Sequence, residues 1–298
     1  MTNYNRINKN HTILLFLLSL FFLILNVDVQ ASSLTIICFF LVATVGVSHG
    51  SLDHIKGAKL LKIFKIKNKL SFFLIYIFIS LVVICTWLLL PFFTLIIFLI
   101  VASFHFGKED SVFGKIQKFK LTDLFLFLKG SLIISAPLCF HAYETIKIFE
   151  ILDVKFFQYN INLIITLIFL SLVSNFFINK NIFLSLLDSS TIIILNINFE
   201  PLLAFTIYFC FLHSIRHSLS LIKQMNKKSF KKGLIIFLKK ALPLTVITAL
   251  SFFIAVFLLN EYYLLSSAII KVIFIGLASL TFPHILLEYL LEKNEKRT

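Results

Sequence analysis

Apolar runs of membrane-crossing length, separated by short basic loops, leave this chain few folds to choose from. A hydrocarbon core about 30 Å thick is crossed by about 20 helical residues, whose backbone groups bond within the segment. Residues 70–106 are apolar without a break, too long for one helical crossing, and Pro91 is the natural turn point of a hairpin. Of 298 residues, 59% are hydrophobic and only 14% charged, with a mean hydropathy of +0.98; soluble domains carry about 25% charged residues. The expected fold is all-α: one polytopic integral membrane helix bundle over residues 1–298, with about 8–10 transmembrane helices.

The lysines set the orientation. Lys56, Lys59, Lys62, Lys65, Lys67 and Lys69 follow a span at about Leu34–Ile55 and are read as a loop. Lys115, Lys118 and Lys120 follow the next hairpin, and Lys223, Lys227, Lys228, Lys231 and Lys232 follow a span that opens at Pro201. Such clusters mark the cytoplasmic side. The topology then puts both termini in the cytoplasm and the chain in the inner membrane. The net charge of +14 belongs to these loops and faces anionic headgroups, so no nucleic-acid partner is implied. Residues 1–31 read as an uncleaved first helix or as a signal-like segment, with a frayed start. The run Ile182–Ile197 is the other weak span. Cys38, Cys85, Cys139 and Cys210 lie singly in spans, without metal or disulfide spacing.

Chemistry concentrates in Phe211–Leu219. His213 and His217 stand four apart inside an apolar span, a spacing that stacks two imidazoles on one helical face about 6 Å apart. Ionisable groups in lipid are costly and mark function. In the lysine-derived topology His49, His54, His105, His213, His217 and His284 all fall toward one end, whereas His141 lies at the other and His11 near the N-terminus. Asp53, Glu109 and Glu288 follow His49, His105 and His284 at i+4, where a carboxylate can fix an imidazole's tautomer. Asp110 reads as loop. His49 and His54 are about 140° apart on a regular helix and share an ion only if Gly50 breaks the turn. Imidazoles without thiolates suit iron, copper or zinc.

Four segments in order, H-G-S-L-D-H (49–54), S-F-H-F-G-K-E-D (103–110), H-S-I-R-H (213–217) and F-P-H-I-L-L-E (282–288), resemble the Brp/Blh family of bacterial and archaeal β-carotene 15,15′-dioxygenases. Ser48 stands where that pattern has proline. By motif, the resemblance puts the catalytic Fe(2+) ligands on His49, His105, His213 and His217. Asp53, His54, Glu109, Arg216, His284 and Glu288 then surround the cofactor, with His54 or His284 able to replace a ligand and Arg216 orienting a carboxylate or snorkelling. The resemblance implies cleavage of β-carotene by O2 into two molecules of all-trans-retinal within a lipid bilayer, and a link to a retinal-binding rhodopsin. The alternative is another histidine-rich membrane iron oxygenase, a desaturase or hydroxylase; those need about eight clustered histidines. A haem carrier would place histidines at both leaflets, and a metal transporter would line a polar path; neither pattern is present.

Overall fold

The computed structural model describes residues 3–25, 31–114, 116–117, 119–155 and 157–295, with the side chains of 31–33, 49, 114 and 295 outside the description. Among the described residues there is no strand, only an isolated bridge between Ile116 and Asn179. Nine helical stretches among the described residues are long and apolar enough to cross a membrane. The elements are α1 (Asn3–Leu25), α2 (Ala31–Leu41), α3 (Asp53–Ile63), α4 (Leu70–Leu89), α5 (Pro91–Glu109), α6 (Thr122–Phe140), α7 (Ala142–Ile151), α8 (Ile161–Ile178), α9 (Ile182–Asn198), α10 (Pro201–Ile207), α11 (Ile215–Met225), α12 (Phe230–Leu259) and α13 (Leu265–Glu295).

The hairpin at Pro91 forms as expected. Leu90 leaves the helical region at φ −136° and ψ 60° and Pro91 starts α5, because the residue before proline disfavours α geometry and proline suits a first turn. Pro201 opens α10 in the same way. The weak span Ile182–Ile197 becomes α9, only 17 residues long, held to α8 by buried amides and hydroxyls: Asn175 Nδ2 donates to Ser189 Oγ at 3.0 Å, and Asn179 Nδ2 to Ser185 Oγ at 2.6 Å. Polar pairs of this kind tie membrane helices together.

Three expectations change. Lys56, Lys59 and Lys62 lie on α3 rather than in a loop. The N-terminus is not frayed within the described residues: α1 starts at Asn3 and buries Tyr4, Asn8 and Thr12, one face at i, i+4, i+8. Val29 and Gln30, from the signal-like stretch, lie outside the described residues. Finally, two helices lose regular pitch at the lysine-rich end. Val42–Gly46 and Tyr208–Ser214 are π-helical, and Val47–Leu52 is 3₁₀. The two π segments face one another, with Ser214 Oγ donating to the Gly46 carbonyl at 3.0 Å. Irregular backbone at membrane depth persists where protein buries it, and π turns recur at functional sites.

Gly107 and Gly130 bring α5 and α6 into backbone contact. A Cβ at Gly107 would lie 1.8 Å from the Leu126 carbonyl oxygen, and one at Gly130 the same distance from that of Ser103. This crossing fixes α5 two residues past His105. Gly107→Ala should therefore force the helices apart and cost about 1–3 kcal/mol or more, read as a lower unfolding midpoint in detergent. Gly50→Ala, whose Cβ would meet only Asp53 Oδ2 at 3.8 Å, should leave the midpoint near wild type.

Candidate metal centre

Four histidines from three segments converge at the lysine-rich end. Their rings form a chain, His213 to His105 to His284 to His217, with successive centroids 5.2, 5.3 and 5.7 Å apart. All four residues are buried, and the Nε2 atoms of His213, His217 and His284 are sealed from solvent. α5 carries His105, the π turn and α11 carry His213 and His217, and α13 carries His284. His213 is further held by Phe209, stacked on it at 14°, and by the edge of Phe106 at 4.8 Å.

Carboxylates orient three of these rings, and each comes from a different helix from its histidine. His213 Nδ1 donates to Asp110 at 3.1 Å, His217 Nδ1 to Glu109 at 2.6 Å, and His284 Nδ1 to Asp53 at 2.9 Å. A carboxylate is only an acceptor, so Nδ1 carries a proton in each ring, and in the neutral imidazole this leaves the lone pair on Nε2. The same-helix pairings expected from i+4 spacing give way to these. Asp53 serves His284, while its expected partner His49 has its side chain outside the described residues. Glu109 serves His217, on α11, and Glu288 forms an ion pair with Lys56. Asp110, read from sequence as loop, is buried and also accepts from the Tyr208 hydroxyl at 2.6 Å.

Behind the histidines lies a buried ionic layer. Arg216 does not snorkel: it is 2% exposed and makes a two-pronged pair with Asp188 at 2.7 and 2.8 Å. It also donates to the Asp110 carbonyl at 3.0 Å, to Asn8 at 3.2 Å and to Thr12 at 3.0 Å, so α1 is clamped to the centre. Lys129 donates to Ser111 Oγ at 2.9 Å, in a small polar cavity shared with Asp110 and Asp188.

The donor set fits a divalent ion. Lys56 is matched by Glu288 and Arg216 by Asp188, leaving Asp53, Glu109 and Asp110 against Lys129 alone. With neutral imidazoles, the surplus among these described groups around the histidines is two negative charges, and uncompensated charge is costly away from water. His217, His284 and Glu288 present ligand atoms within 4.8 Å of one another. Four imidazoles without a thiolate match iron, copper or zinc.

Of the remaining predicted residues, His54 turns its Nδ1 to the Ser51 carbonyl at 3.0 Å and lines a neighbouring cavity instead of the ring cluster. The side chain of His49 lies outside the described residues. His141 sits by Glu144 at 3.9 Å, at the far end of α6. The sequence reading missed Asp188, Lys129, Tyr208 and Tyr76; the one available signal was charge or hydroxyl inside otherwise apolar spans.

An apolar cavity of about 710 Å³ opens from the His284 side of the cluster, bounded by α4, α12 and α13. Its lining includes Asp53, His54, Tyr76 and His284 at one end and Leu81 and Ser251 at the other. Ile77, Leu81 and Ile247, all three exposed, line it on α4 and α12.

A family model described as beta-carotene 15,15′-dioxygenase matches residues 40–292. The beta-carotene 15,15′-dioxygenase of uncultured marine bacterium 66A03 is 28% identical, over 86% of this chain and 94% of that protein. No solved structure matches.

Arg216→Met should strand Asp188 in the interior and destabilise the protein by about 3–5 kcal/mol, with much of that recovered by adding Asp188→Leu. Thermal unfolding of the single and double variants in detergent checks this pair.

Proposed function

Because the chain belongs to the beta-carotene 15,15′-dioxygenase family, we propose that it cleaves β-carotene with Fe(II) and O2, at the central 15,15′ double bond, into two molecules of all-trans-retinal. The observation that carries this reading is a cluster of four buried imidazoles of which one, His284, also lines an open apolar cavity. His105, His213, His217 and His284 would hold the iron, and the H-G-S-L-D-H motif adds His49 as a further ligand. Bound Fe(II) supplies O2 activation beside the alkene.

The reaction balances without help from the protein's acids or bases. The central carbon–carbon double bond breaks, each carbon takes one oxygen atom of O2, and neither reductant nor net proton is consumed. Accordingly Asp53, Glu109 and Asp110 are engaged in holding imidazoles. From Phe72 to Leu81 the α4 wall of the cavity rises about 14 Å, room for one arm of a long polyene. The apolar walls exclude water and seat that arm so that the middle of the chain, rather than a ring end, lies at the histidines. The exposed rim at Ile77, Leu81 and Ile247 lets a hydrocarbon enter from lipid. The lysine-rich end, with both termini, belongs in the cytoplasm of a cell whose inner membrane holds the enzyme, and a retinal-binding rhodopsin would take up the product.

Expression in bacteria accumulating β-carotene tests this. Orange colour should fade, with retinal and no longer fragments in the extract. His213→Ala and His284→Ala should lose both iron and cleavage, and His141→Ala neither; unchanged carotene with an iron-loaded protein would favour a desaturase or hydroxylase. Ser80→Trp, which fills the cavity from α4, should keep iron while cleavage falls on the order of tenfold or more. Metal content and chromatography of the same preparations separate these outcomes.

A further inference from the structure

Tyr76 belongs to both the cavity and the histidine cluster. Its ring lines the cavity and packs on Phe72 at 5.5 Å. Its hydroxyl lies 3.0 Å from Asp53 Oδ2 and 3.2 Å from the Leu280 carbonyl, one helical turn before His284. Asp53 in turn accepts from His284 Nδ1, with its two oxygens at 3.0 and 2.9 Å. A phenol has one proton to donate, so these two acceptors compete for it. The carboxylate is the stronger acceptor, and a tilt of the ring toward the carbonyl would leave Asp53 held by His284 without the phenol. The carboxylate plane decides where the His284 ring points.

We propose that Tyr76 is a positioning residue through which an occupant of the cavity is coupled to the metal centre. This rests on the iron reading above. A polyene arm lying along α4 presses on the Tyr76 ring, shifts its hydroxyl between Asp53 and Leu280, and so resets His284. The site then answers to substrate before O2 arrives, which limits idle oxygen chemistry at the iron. Neither Tyr76 nor Leu280 lies in the four histidine-bearing motifs.

The test uses the full-length protein in detergent, reconstituted with Fe(II) without oxygen. Iron retention against a chelator is measured, and the electron paramagnetic resonance spectrum of the ferrous–nitric oxide adduct is recorded with and without β-carotene. In the wild type, β-carotene should change the spectrum. Tyr76→Phe keeps the ring in the cavity but removes the hydroxyl; it should hold iron about tenfold or more weakly and show no carotene-dependent change. A Tyr76→Phe protein that retains iron like wild type and shifts its spectrum identically overturns the coupling alone. Wild-type protein that takes up no Fe(II) overturns the iron reading, and the coupling with it.

Discussion

Everything at the lysine-rich end depends on a polar centre surviving where water is scarce. Among the described side chains, four imidazoles, five aspartates and glutamates around them, an arginine and two lysines occupy one end of an otherwise apolar bundle. They are tolerable there because nearly every donor has a named acceptor, as buried polar networks require. The histidine–carboxylate pairs are inter-helical, so the same contacts that satisfy charge also lock the rotation of α3, α5, α11 and α13 against one another. Arg216 extends the lock to α1 and α9 through Thr12, Asn8 and Asp188.

Packing and backbone shape serve that centre. Gly107 and Gly130 let α5 approach α6 at backbone distance, which only residues without a Cβ permit. The π turn that ends at Ser214 changes the helical phase just after His213, so His213 and His217 do not simply repeat on one regular face. His213 pairs in space with His105, and His217 with His284. Away from the centre the design relaxes. α4 and α12 bury little of their surface within the protein, and between them lies the cavity, whose apolar walls reach His284.

Much of this was legible in the chain. Continuous apolar runs and the prolines at 91 and 201 determined where helices begin and end, because length and φ restriction are local properties. Lysine clusters separated the two ends, and that separation alone gathered His105, His213, His217 and His284 at one level of the bundle. The four ordered motifs pointed to the family.

The tertiary structure decided who meets whom. Spacing at i+4 sees only one helix: it put Glu288 near His284, where it lies, but it paired Glu109 with His105, whereas the rotation and register of neighbouring helices give Glu109 to His217 and Asp53 to His284. Those settings are long-range: Asp53 and His284 are 231 residues apart. For the same reason Asp110, correctly read as lying past a helix end, looked solvated, Arg216 looked able to snorkel, and the polar start of α1 looked frayed, until the bundle closed around them. Sequence determined the helices and the end at which the chemistry collects; only packing determined which side chains carry it.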